Sequence, residues 1–160
     1  MATTVNRRAW LATLAAVLIT AVTGGLVAAH PTPAVAAATC TGYSHFNPNQ
    51  FGELHAPTIG NHTARYYCDL ARGNRSVAVL VLQEALRYCF NHGIATDGIF
   101  GPNTEAAMAA TTRTINNFYG TSFPTNGRYY ADMALYMAWA RFGHGGGPPV
   151  PGQCGFLFGP

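Results

Sequence analysis

Asp97-Gly98-Ile99-Phe100-Gly101-Pro102-Asn103-Thr104 is the stretch whose reading decides the fold. Gly98 is free to take a positive φ, and Asp97 can accept a hydrogen bond from the backbone just beyond it. Phe100, between two glycines, is the residue able to anchor such a turn on a core. Pro102 suits the first turn of a helix, where a missing N–H costs nothing. Thr104 and Glu105 fall in that turn, and Glu105 is favoured by the positive end of the helix dipole.

Working upstream, Val79, Leu82, Leu86 and Cys89 or Phe90 recur at helical spacing. They predict a first helix that starts near Ser76 and stops at Asn91-His92-Gly93. Downstream, a second helix is predicted from about Pro102 to Asn117, with Ala107, Met108, Thr111, Ile115 and Phe118 inward. Asn126-Gly127-Arg128-Tyr129-Tyr130 then echoes the first turn, and a third helix is expected from about Ala131 to Phe142, burying Leu135, Trp139 and Phe142.

Ser76-Val77-Ala78-Val79-Leu80-Val81-Leu82-Gln83-Glu84-Ala85-Leu86, then the Asp97 to Thr104 turn and Glu105-Ala106-Ala107-Met108, resembles the small peptidoglycan-binding domain. That family's pattern is Val-x-x-Leu-Gln-x-x-Leu, a short connection, Asp-Gly-x-Phe-Gly-x-x-Thr, and Ala-Val. Leu70-Ala71-Arg72-Gly73-Asn74 is similar to its Leu-x-x-Gly-Ser entry. The resemblance covers residues 68–142 and is strongest over 76–108. It departs at Thr111-Thr112, where family members often carry Phe-Gln, and at Asn126, Tyr130 and Met133 in the second turn. It implies a mainly α fold, a three-helix bundle with disulfide-tied N- and C-terminal arms, in an exported protein of the actinobacterial type.

The organisation expected around that domain has three further parts. Residues 1–38 read as an export signal: Arg7-Arg8, an almost uncharged run from Ala9 to Val27, and cleavage candidates after Ala36 or Ala38. Residues 39–67 read as an irregular or short-stranded arm, a hairpin around Leu54 to Ile59 being one form of it. Residues 143–160, rich in Gly and Pro, read as a tail.

All four cysteines, Cys40, Cys68, Cys89 and Cys154, lie beyond the cleavage sites, and an even count in an exported chain argues for two disulfides. Three connectivities are open. Cys68 precedes the first helix and Cys89 ends it, which favours Cys68–Cys89 with Cys40–Cys154 joining the two tails.

Beyond the signal, seven arginines and no lysine oppose six carboxylates, a net charge near +1. That leaves no basic field for nucleic acid. Catalysis is not expected either. His45, His55, His62, His92 and His144 show no HExxH or comparable metal-ligand spacing. No pair of carboxylates is placed for glycoside hydrolysis, and no unpaired thiol is left for a nucleophile. No metal or cofactor is expected.

Tyrosine supplies a flat apolar face and a hydroxyl, which suits sugars and peptides of a cell wall. The candidate ligand contacts are Tyr129, Tyr130, Tyr88 and Arg128, with Asp97, Phe100 and Thr104 of the first turn, which shape that loop whether or not it touches ligand. The expected function is that of a secreted, monomeric, non-catalytic protein binding peptidoglycan, with no membrane contact once the signal is removed. The alternatives are a secreted regulatory or interaction protein that kept the fold without the glycan, and an uncharacterised wall-active enzyme.

Overall fold

A computed structural model of the chain describes residues 37–49, 52–143 and 147–158. The elements run β1 (Gly42–Asn49), β2 (Gly52–Thr58), α1 (Val77–Tyr88), α2 (Pro102–Tyr119), a 3-10 turn (Ala131–Leu135), β3 (Trp139–Phe142) and β4 (Pro149–Gly155). The strands form one sheet in the order β1-β2-β3-β4, every neighbouring pair antiparallel. Helix α1 touches all four strands, and its buried Val79, Leu82 and Leu86 join the same core as Leu54, Met108 and Trp139.

Both helices obey their local chemistry. Ser76 caps α1 through its side chain, accepting from Val79 N–H at 3.4 Å, and Arg87 lies in the last turn, where the dipole favours a cation. Pro102 opens α2 behind Gly101, Glu105 occupies its first turn, and Gly120 closes it at φ 67°.

The mainly α, three-helix expectation is overturned. The stretch given to a third helix forms five residues of 3-10 turn and then β3, beside a four-stranded sheet. Trp139, Ala140, Arg141 and Phe142 are all buried, so no polar face is left to make an amphipathic helix of them. A short run buried throughout is compatible with helix or strand, and pairing partners decide between them. Here the open edges of β2 and β4 are available on both sides.

The arms carry the rest of the sheet. Residues 39–67 hold both β1 and β2, paired antiparallel. The stretch read as a tail holds β4, where Pro149 is tolerated because β4 is an edge strand.

The favoured disulfide pairing is also corrected. Cys40 joins Cys68, with Cα atoms 5.1 Å apart, and Cys89 joins Cys154, at 5.9 Å. The first results from a short parallel bridge, Cys40 N–H donating to Asp69 O and Asp69 N–H to Ala38 O, that lays the entry segment beside Cys68. The second results from β4, whose Cys154 pairs with Ala140 of β3 and meets the end of α1. No thiol is free. Two disulfides, and the lack among described residues of a helix long and apolar enough to cross a membrane, are compatible with an extracellular protein. The expected signal, up to residue 36, lies outside the described residues.

Candidate functional site

Gln83 is the node of the first turn. Its Nε2 donates to Asp97 Oδ1 at 2.9 Å, Ile99 O at 3.0 Å and Thr104 Oγ1 at 3.0 Å, while its Oε1 accepts from Gly98 N–H at 2.8 Å. Asp97 Oδ1 also accepts from Ile99 N–H at 2.9 Å, closing an Asx turn. The Gln83 bond holds the Asp97 carboxyl below the usual carboxylate range, with the Ile99 N–H adding to it. Phe100 and Thr104 are buried beneath this network. Asp97, Phe100 and Thr104 are therefore brought together as a folded loop, with only Asp97 open to solvent.

The second turn divides its two rings. Tyr129 is fully buried, edge-on to Trp139, and burial pushes its phenol well above the usual range. The proposed ligand role of Tyr129 is thus corrected: it is core. Tyr130 is half-buried; its hydroxyl accepts from Asn126 Nδ2 at 2.7 Å, and the exposed Arg128 guanidinium lies 5.6 Å from its ring centroid. Arg128 also reaches Asp69 at 3.4 Å. Tyr88, exposed at the end of α1, lies under Arg87 beside a shallow cleft bounded by Asn91, His92 and Ile94.

Sequence reasoning missed two surfaces. At the C-terminal end of α2, Phe118, expected to face inward, is instead 79% exposed beside Tyr119, and the rings of Tyr119, Tyr136 and Phe156 with Phe90 and Ile115 bound a small apolar hollow of about 160 Å³. The Phe118, Tyr119 and Tyr136 rings touch in succession, so this is a contiguous aromatic patch and not a single scattered hydrophobe.

The second surface lies on the β1–β2 hairpin. His45 stands directly opposite His55 in the ladder, so both side chains project from one face, and Glu53, two residues before His55, shares it. His45 Nδ1 lies 2.5 Å and His55 Nε2 3.6 Å from Glu53 Oε1. Among the described residues this is the one His/Cys/Asp/Glu group whose donor atoms converge, all within 4.8 Å. His62 stacks on the His45 ring, 5.1 Å between centroids and 3° from parallel, and Phe142 stacks on His55 at 3.8 Å. Burial drives His55 down to about 4, helped by His45 and opposed by Glu53.

These side chains line a cleft of about 500 Å³ that also takes in Tyr43, Leu80 and Glu84, and burial pushes the Glu84 carboxyl up to about 7. Local motifs such as HExxH do not capture this cluster, because strand pairing assembles it. The available signal was the hairpin itself, although the register that sets His45 opposite His55 also depends on an irregularity between Phe46 and Asn49.

No protein-family model, curated protein or solved structure matches this chain.

Proposed function

We infer that this is an exported, non-catalytic protein that binds cell-wall peptidoglycan as a monomer. The reading is supported by the Gln83 node, in which the separate pieces of the wall-binding motif (Leu82-Gln83, Asp97-Gly98, Phe100 and Thr104) meet in one hydrogen-bonded unit. Export rests on the Arg7-Arg8 leader and on disulfides that an oxidising compartment maintains.

The contact surface in this reading is the platform of Phe118 and Tyr119. Saccharide rings present apolar C–H faces that stack on exposed aromatics, and Thr114 at the rim of the hollow adds a hydroxyl. The assay is co-sedimentation with insoluble peptidoglycan, against a heat-denatured control. Wild-type protein is expected in the pellet, and a Phe118→Ala/Tyr119→Ala double variant in the supernatant with its melting temperature unchanged. Loss on Tyr130→Ala instead would move the contact to the second turn, and failure of native protein to sediment would overturn wall binding. Release of soluble wall fragments would overturn the non-catalytic half.

A further inference from the structure

We propose that His45 Nδ1, His55 Nε2 and the Glu53 carboxylate form a binding site for a divalent ion of the zinc class. The proposal stands apart from wall binding and uses no residue of the aromatic platform.

The first argument is geometric. Ligand atoms held about 2.0–2.2 Å from a tetrahedral zinc lie roughly 3.3 Å from one another. The two nitrogens stand 2.5 and 3.6 Å from the same carboxylate oxygen, on either side of that spacing, and the whole set falls within 4.8 Å.

The second argument is the state of the nitrogens. His45 Nδ1 and His55 Nε2 are both buried, and neither has a hydrogen-bond partner. Among the described residues, the one polar group near either nitrogen is the Glu53 carboxylate, 2.5 Å from Nδ1 and 3.6 Å from Nε2, the latter too long for a hydrogen bond. A buried imidazole nitrogen left unpaired beside a carboxylate is unfavourable, and such an orphan calls for a specific explanation. The His55 side chain is only 8% exposed and points its free nitrogen at the other two donors. A shared cation satisfies all three groups at once.

The third argument is preparation. His55 is clamped by the Phe142 ring and His45 by the parallel His62 ring, so both imidazoles are oriented before any ligand arrives. Paired strands fix the spacing of their Cα atoms more firmly than a loop would.

Two imidazoles and one carboxylate, without thiolate, suit zinc and its first-row neighbours and disfavour calcium or magnesium, which take oxygen ligands. Three protein ligands leave one position of a tetrahedral site for water or another oxygen donor. The cleft shared with Tyr43 and Glu84 supplies the room for it.

The test is calorimetric titration of ZnCl2 into tag-free, chelator-stripped protein, with metal content counted after dialysis. One equivalent is expected to bind. His45→Ala, at a side chain 30% exposed, and Glu53→Gln, at one 23% exposed, should keep the far-UV spectrum. Each should weaken binding by more than the 10–100-fold that loss of an outer-shell partner costs. His92→Ala, remote from the hairpin, should bind as wild type does. Four-coordinate Co2+ should give strong visible bands that Glu53→Gln abolishes. No saturable binding to the wild type, binding unchanged in both hairpin variants, or equal loss in His92→Ala would each overturn the site.

Discussion

The turns at Asp97-Gly98 and Asn126-Gly127 are built alike and end differently. In each, the Asx side chain accepts from the backbone N–H two residues on, Asp97 from Ile99 at 2.9 Å and Asn126 from Arg128 at 3.1 Å. Each glycine is left-handed, Gly98 at φ 71° and Gly127 at φ 82°. Each is succeeded by a buried ring, Phe100 in one and Tyr129 in the other, and each turn makes a short antiparallel bridge, Ile99 with Arg75 and Tyr129 with Leu70. Yet the first launches the eighteen-residue α2, and the second a five-residue 3-10 turn that gives way to a strand. Turn chemistry is local and repeats wherever its residues do. The course of the chain after each turn is decided by its packing partners: Gln83 and α1 at the first turn, the edge of β2 at the second.

If the two rings are equivalent anchors, removing either should cost about the same. Phe100→Ala and Tyr129→Ala are each expected to destabilise by about 3–5 kcal/mol, measured by urea unfolding. A loss under about 1 kcal/mol at Tyr129 would mean that the second turn is peripheral. Tyr129→Phe sharpens the point by moving the other way. The Tyr129 hydroxyl is buried with no partner, so deleting it should stabilise by about 1 kcal/mol.

The same contrast explains how much could be read from sequence. Capping, helical period and turn residues act within a few positions, and they located α1, α2 and both turns. The sheet is non-local. His45, Glu53, Arg141 and Cys154 occupy three separate stretches of chain, and nothing within any one of them names its partner strand. Trp139 and Phe142 are buried, as the sequence predicts, but their spacing fits a helix as well as the strand they form. The histidine cluster is hidden for the same reason: a hairpin around Leu54 to Ile59 does not set His45 opposite His55, as the β1–β2 register does. At the second turn, neighbouring tyrosines must point to different sides, but only the packing against Trp139 says which is core.

A smaller effect should separate the two glycines. A Cβ at Gly98 would come 3.2 Å from Ser76 O, tight but relievable, whereas one at Gly127 would fall 2.6 Å from Glu105 O and would also collide with Glu105 Cγ. Both substitutions carry the strain of a positive φ. Gly98→Ala should therefore cost about 1 kcal/mol and Gly127→Ala about 2–3 kcal/mol, read from paired unfolding curves. The reverse order would show that the contact between the second turn and α2 is loose.

The smallest expected effect tests the one chemical difference between the turns, a carboxylate in the first and an amide in the second. The Gln83 amide and the Ile99 N–H hold the ionised form of Asp97, so its folded-state pKa lies below that of the unfolded chain. A group depressed in this way contributes stability that is present above its unfolded pKa and is lost as the pH falls through its folded pKa. The native turn should therefore weaken on the acid side, below the ordinary aspartate range near pH 4. Asp97→Asn converts the first turn to the chemistry of the second: its side-chain oxygen still accepts from Ile99, as Asn126 does from Arg128, but it cannot titrate. The variant should be slightly less stable than wild type at pH 7, where the charge-assisted bond is lost, and the gap should narrow as the pH falls below the ordinary aspartate range. Melting temperatures of both proteins across pH 3–7 measure it. A constant offset over that range would mean that the Asp97 charge is irrelevant and that the two turns differ only in the element each one launches, α2 in one case and the 3-10 turn with β3 in the other.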